Sequence, residues 1–395
     1  MTATVTDIDP TTLPTRRRTD TVLLIGPSTL RHEALGATGR EMIAATFRST
    51  ANPSDNTLVL TADNAAASYY RIGPHGSRGN DTSATLGRIA RACDTFGDLA
   101  PLFLLTALPD GRWQPFTQLS YVGSELLFLR LDGEPLQGDP ANPATVREWT
   151  DDLAARHRAH GPHLNNHQRW FTNARPDTEI EQKFTLLGAP DIWRLALEAR
   201  DLIGAGNLPG WILEPGGGFE QWDFLNHLHA ISGPPGEEGH IAYIPAVNGS
   251  WISRRKWGAD GIQRREVLTE GLDLGRSPDL RQIIADHHGV DVDWSATYRR
   301  VRYNVLMEAT RTGHIFSVMF DRCTVQDRPD IPALHQAEVE YVRSRTLTPA
   351  GPADGLMDDF AALTDWTRAW LASRAIRCTE HHLSKATWLR THLAT

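Results

Sequence analysis

The stretch Thr178–Leu187, TEIEQKFTLL, constrains this chain more than any other. Glu179, Glu181 and Lys183 fall at every second position. On a β-strand alternate side chains share a face, so one face carries two carboxylates and an ammonium. The other face carries Ile180, Gln182 and Phe184, an ordinary partly apolar surface. Ionisable groups in a row make sense where something polar fills the space beyond them, and a divalent cation held by hard oxygen ligands beside a phosphate would do so. The plainer alternative is a solvated edge strand with an ion pair.

The sequence after residue 178 repeats this oddity. Phe219–Ala230, His240–Val247, Ser250–Trp257, Gly261–Thr269, Thr297–Ala309, His314–Val325 and Leu334–Arg345 read as strands, with Asn248-Gly249 a strong hairpin signal. Helices are predicted at Pro190–Ile203, Pro278–His288 and Ala353–Ile376. Arg254 and Lys256 are two apart, as are Arg264 and Glu266, Arg300 and Arg302, and Glu338 and Glu340, while Asp321 closes the apolar run FSVMFD. One such pair is ordinary on an open sheet. Charges on one face of so many strands point to a sheet closed into a barrel, with a polar interior lined by both signs.

These motifs resemble the CYTH, or triphosphate tunnel metalloenzyme, superfamily. Glu179–Lys183 matches its E-x-E-x-K signature, and the order of Gln221–Asp223 (QWD), an R-x-K strand, Arg300–Arg302, Asp321, Glu338–Glu340 and Ser384-Lys385 is similar to that family over roughly residues 178–390. The resemblance implies an eight-stranded antiparallel tunnel, hence an α+β chain with flanking helices, that binds a phosphorylated compound with Mg²⁺ or Mn²⁺. By residue match, Glu179, Glu181, Glu338 and Glu340 are the metal candidates. Lys183, Arg254, Lys256, Arg264, Arg300, Arg302 and Lys385 are the phosphate candidates. Lys183 and Asp321 are the candidates for a catalytic part, Asp321 by orienting a water or joining the metal shell. Two strands depart from the family pattern, I-S-R-R-K at Ile252–Lys256 and I-Q-R-R-E at Ile262–Glu266, which leaves open whether Arg254 or Arg255, and Arg264 or Arg265, face inward. The Trp- and His-rich segments Trp211–His229 and Trp251–Trp257 read as core packing, with an aromatic wall for an organic substrate as the alternative.

The implied activity is metal-dependent hydrolysis of a triphosphate or related organic polyphosphate. A nucleotidyl cyclase and a non-catalytic polyphosphate-binding module are the alternatives. A small phosphorylated substrate is therefore the expected partner, with the oligomeric state open.

The first half carries no comparable signal. Residues 1–20 read as a tail, followed by an α+β domain to about residue 160 and a linker over Gly161–Pro176. Within it, Thr21–Ile25, Thr57–Thr61, Pro101–Leu108, Pro115–Tyr121 and Glu125–Leu131 are predicted strands; Gly39–Phe47, Ala84–Phe96 and Thr145–Arg158 are predicted helices. No G-x-G-x-x-G or G-x-x-x-x-G-K-[ST] phosphate loop is present. His157, His160, His163 and His167 cluster near a helix end, but Gly161-Pro162 interrupts the spacing that a metal site would need, so a solvated helix end is the reading taken.

Composition narrows the function further. A formal net charge of −8 argues against general nucleic-acid binding. No apolar run approaches the about 18 residues of a membrane span, and Val22–Ile25 is too short for a signal-peptide core. Cys93, Cys323 and Cys378 lie far apart, so neither a disulfide framework nor a zinc ribbon is expected, and a reducing cytoplasm is the default.

Overall fold

The computed structural model describes residues 19–27, 29–32, 36–61, 66–73, 76–85, 89, 99–122, 125–159, 171–214, 218–232, 234–258, 261–326, 328–345, 354–380 and 383–393. The chain divides into two compact units, Met1–Arg169 and Trp170–Thr395.

In the first unit the strands are β1 (Thr19–Pro27), β2 (Met42–Ser49), β3 (Thr57–Thr61), β4 (Ala66–Gly73), β5 (Gly76–Thr85), β6 (Leu99–Ala107), β7 (Trp113–Val122) and β8 (Glu125–Arg130). They make one antiparallel sheet in the order β3-β8-β7-β6-β1-β2-β4-β5. A single turn, α1 (Thr29–His32), and a long helix, α2 (Pro143–Ala159), complete the unit. One sheet face buries Leu23, Ile43, Leu104, Phe116 and Phe128 in an apolar core. The helix expected at Gly39–Phe47 is strand β2 instead. Its residues pair with β1 and β4 on both sides, and ladder bonds with buried apolar neighbours override the helical preference of its alanines. Ala84 and Thr85 end strand β5, and most of the rest of the helix expected over Ala84–Phe96 lies outside the described residues. His157 is buried with its Nδ1 2.8 Å from Thr117 Oγ1; His160, His163 and His167 lie outside the described residues, as do residues 1–18 and most of the expected linker.

The second unit is built from β9 (Phe171–Thr172), β10 (Thr178–Leu186), α3 (Ile192–Gly204), β11 (Trp211–Leu213), β12 (Phe219–Ser232), β13 (Gly239–Pro245), β14 (Trp251–Trp257), β15 (Gln263–Leu272), α4 (Leu280–His288), β16 (Asp291–Ala309), β17 (His314–Val325), β18 (Leu334–Arg345), α5 (Leu356–Ser373), β19 (Cys378–Thr379) and α6 (Lys385–Leu393). The Asn248-Gly249 turn joins β13 to β14, with Gly249 at φ 86° where a side chain would be strained. Eight strands run antiparallel in the cycle β10-β15-β14-β13-β12-β16-β17-β18, and β18 pairs back onto β10, so the barrel is closed. Closure leaves no free ladder edge on these strands along the shared register.

Alternation decides what lies inside. Ile180 and Phe184 of β10, Val305 and Met307 of β16, Phe316, Val318 and Phe320 of β17, and Val339 of β18 face outward and are fully buried under α3 and α5. The apolar core is therefore wrapped around the outside of the barrel, and the intervening positions turn inward. At one end, the inward residues Leu228, Ala242, Tyr298 and Cys323 pack against Trp388 and Leu389 of α6. That apolar plug makes the tunnel a cup. Cys323 and Cys378 are free thiols, and no described helix is long and apolar enough to cross a membrane.

Candidate functional site

Each strand delivers its charges inward by the same period-2 rule. β10 contributes Glu179, Glu181 and Lys183; β14 contributes Arg254 and Lys256; β15 contributes Arg264 and Glu266. β16 contributes Arg300 and Arg302, β17 contributes Asp321, and β18 contributes Glu338 and Glu340. Lys385, from the first turn of α6, reaches in at the plugged end. The two ambiguous strands are resolved by register. Arg254 Nε lies 2.7 Å from Glu266, and Arg264 contacts Glu179 and Glu181. Arg255 and Arg265 point away and stack on Trp257 at 4.3 and 4.0 Å from the ring centre.

Two groups of ions result. In the first, Lys256 Nζ sits 2.6 Å from Glu179 and 3.4 Å from Glu266, while Lys183 pairs with Glu181. In the second, Asp321 is fully buried and takes Arg302 Nε at 2.7 Å, Arg300 at 2.5 Å and Lys385 at 2.9 Å. Glu338 joins this second group through Arg302 and Lys385. Asp321 thus lies among cations and locks the two guanidinium groups side by side.

Carboxylate oxygens of Glu179, Glu181 and Glu340 all lie within 4.8 Å of one another. Glu338 is held apart by its cations, so three of the four sequence-derived metal candidates converge and one does not. Burial tends to raise Glu179, but Lys256 and Arg264 hold it well below the ordinary carboxylate range. Glu340 differs: burial, with Glu179 alongside, pushes it up to about 7. Its Oε2 is buried without a hydrogen-bond partner. A buried, unpaired carboxylate oxygen beside two more carboxylates is costly alone. Hard oxygen donors in this arrangement fit a divalent cation such as Mg²⁺ or Mn²⁺.

Several groups escaped the sequence reading. Glu266 was legible as Arg264's partner on one face, yet it was not singled out as a site residue. His240 lines the inner tunnel; burial, with Lys256 and Lys183 nearby, pushes it down to about 3, so its imidazole is neutral. Nothing in G-H-I-A-Y marks it, because a lone histidine in an apolar strand reads as core. Trp211 and Trp251 are buried, in keeping with packing, but Trp222 is 49% exposed and lines the tunnel's open end. For Trp222 the packing expectation is corrected, since inward alternation on β12 places it beside open space.

No family model matches the chain, and no curated protein matches it. Among solved structures, it is similar to the Hippeastrum protein HpAC1, assigned as an adenylyl cyclase with a dominant triphosphatase activity, at 14% identity over 54% of this chain and 95% of that one, with a TM-score of 0.28. It is also similar to the S. pombe RNA triphosphatase Pct1, at 14% identity over 50% and 80% of the two chains, with a TM-score of 0.24. The chain resembles the triphosphate tunnel metalloenzymes in its E-x-E-x-K signature and in its closed, inward-charged eight-stranded barrel.

Proposed function

We propose that the barrel unit is a metal-dependent phosphohydrolase acting on a triphosphate or other organic polyphosphate. The observation that carries this reading is the convergence of Glu179, Glu181 and Glu340, with the orphaned Glu340 Oε2, inside a ring of lysines and arginines. An anion receptor alone gains nothing from carboxylates in its cage.

Glu179, Glu181 and Glu340 would hold the cation. When bound, it would neutralise phosphoryl charge and supply an activated water. Lys183, Lys256 and Arg264, which pair with Glu179 and Glu181 in this structure, are the donors a phosphate chain would recruit. Arg300 and Arg302, fixed by Asp321, present preset N–H groups, so little reorganisation is needed as charge develops. Asp321 then acts as a positioning residue. Lys385 closes the far end of the cation row beside Glu338 and Asp321. The plug formed with α6 closes the Lys385 end of the cage, which strengthens the contacts there.

The test is incubation of the full chain with ATP or tripolyphosphate and Mg²⁺ or Mn²⁺, read by phosphorus NMR. Metal-dependent orthophosphate release supports hydrolysis. Pyrophosphate with a cyclic nucleotide would replace this reading with cyclisation. Tight binding without turnover would replace it with a binding module.

A further inference from the structure

Beyond the ion cage, the tunnel widens into an outer chamber of about 480 Å³ that shares Arg254 and Arg300 with the inner one. Its character is different. Trp222, Phe224, Ile252, Leu268 and Met319 supply an apolar wall, and Trp222 and Leu268 are each 49% exposed although they face into the barrel. Apolar side chains left open inside a cleft mark a ligand surface more often than a packing defect. The Trp222 indole is held in place by its Nε1, which donates to Glu220 at 3.1 Å. The same Glu220 accepts from Asn304 Nδ2 at 3.1 Å, which turns Asn304 Oδ1 free. Ser317 is fully buried in the chamber floor. Neither Asn304 Oδ1 nor Ser317 Oγ has a hydrogen-bond partner among the described residues. Buried polar atoms of this kind are normally satisfied.

We infer that the outer chamber is a subsite for the organic part of the substrate, a flat heteroaromatic group joined to the polyphosphate, stacked on Trp222 with a hydrogen-bonding edge turned to Asn304 and Ser317. This deepens the phosphohydrolase reading and rests on it. The polyphosphate enters first, towards the plugged end, where Arg254 and Arg300 pass it to the inner cage. The organic group stops at the open mouth because the inner chamber is lined by charge, which a polyphosphate can pair with and an uncharged ring cannot. Bare tripolyphosphate would leave the apolar wall wet and the two polar atoms unpaired, so the site discriminates against it.

The experiment compares ATP, CTP, GTP and UTP with inorganic tripolyphosphate on the full chain with Mn²⁺. Wild type is expected to favour at least one nucleotide over tripolyphosphate by about tenfold in kcat/KM, the scale of one base–aromatic stack. Trp222→Ala, and independently Leu268→Ala, should collapse that ratio towards unity. Trp193→Ala, which removes a half-exposed indole from the outer wall, should leave the ratio where it was. Equal or better use of tripolyphosphate by wild type, or a ratio untouched by both chamber variants, overturns the inference while leaving the phosphohydrolase reading intact. If nothing is hydrolysed, that reading fails and calorimetric binding decides the subsite. Tighter binding of a nucleotide that Trp222→Ala abolishes supports it; tripolyphosphate binding as tightly as every nucleotide overturns it.

Discussion

Glu181 and Glu340 face each other directly across the β10–β18 ladder, the pairing that closes the barrel. Like charges at such a position oppose strand pairing, so the seam of the fold and the candidate metal site are one feature. Without a cation, Glu181 keeps Lys183 and Arg264, while Glu340 Oε2 is left buried without a hydrogen-bond partner.

Removing that repulsion should therefore stabilise the metal-free protein. At pH 8, Glu340→Gln is expected to raise stability without metal by about 1 kcal/mol, the upper end for a cross-strand pair. It should also abolish the rise in Tm that Mn²⁺ gives the wild type, a rise worth about 2.7 kcal/mol at a metal concentration a hundredfold above Kd. Thermal melts with and without Mn²⁺ read both effects. A variant that is less stable without metal, yet still gains stability from Mn²⁺, would remove Glu340 from the site.

The same residue sets a pH dependence. In the folded metal-free protein Glu340 is raised from the ordinary 4.5 to about 7, so between those values the folded state binds more protons than the unfolded one. Stability should then fall as pH rises through that window and level off above it. Glu179 and Glu338 are lowered instead; their contribution is present above the ordinary carboxylate range and is lost only in stronger acid, outside the window. Metal competes with the Glu340 proton, so the apparent Kd for Mn²⁺ should weaken about tenfold per pH unit below 7 and flatten above it. Calorimetric titrations from pH 5.5 to 8.5 would show one proton released per metal on the acid side. A flat profile would assign the metal to other ligands.

Much of this site was legible because a strand's period is exact enough to sort charges onto one face. Thr178–Leu187 alone showed Glu179, Glu181 and Lys183 together, and the later basic and acidic strands followed the same rule. What stayed hidden was whatever depended on register between strands. The adjacent pairs Arg254/Arg255 and Arg264/Arg265 are chemically alike, and only the ladder on either side decides which one enters the tunnel. Glu338 and Glu340 look equivalent in A-E-V-E-Y-V, yet Lys385 and Arg302 claim the first and leave the second bare. In the first unit, β5 reads GSRGNDTSAT, a run whose Gly, Asn, Asp and Ser suggest loop; pairing with β4, not propensity, makes it a strand.

Arg302 tests how the second ion group is held together. Its guanidinium contacts both Asp321 and Glu338, and both carboxylates are buried. Arg302→Ala should therefore destabilise the barrel by about 1.5–3 kcal/mol, the scale of lost hydrogen bonds to charged groups, although Arg300 and Lys385 still hold Asp321. The double variant Arg302→Ala with Asp321→Asn should lose about 1 kcal/mol less than the sum of the two single losses, since both changes remove the same hydrogen bonds. Denaturant melts of the four proteins complete the cycle. Additive losses would show that the pair is not coupled and that Asp321 does not position the arginine.

The start of the barrel unit gives the last prediction. Phe171, in β9, lies under both Arg343 and Arg345, at 4.1 and 4.9 Å from their guanidinium carbons, and β9 pairs with the end of β18. Arg345 in turn holds the buried Glu308 at 2.8 Å, and Arg343 holds Glu214 at 2.8 Å. A fragment from Trp170 to Thr395 keeps this arrangement and should fold and bind triphosphate with Mn²⁺ as the full chain does, because the ion cage lies wholly within it. A fragment beginning at Pro176 removes Phe171 from the two arginines and should melt lower by about 1–2 kcal/mol, the scale of cation–π contacts at partly desolvated sites, with its metal affinity unchanged. Circular-dichroism melts and calorimetry on the two fragments decide it. Loss of triphosphate binding by a folded Trp170–Thr395 fragment would show that the first unit supplies part of the binding site.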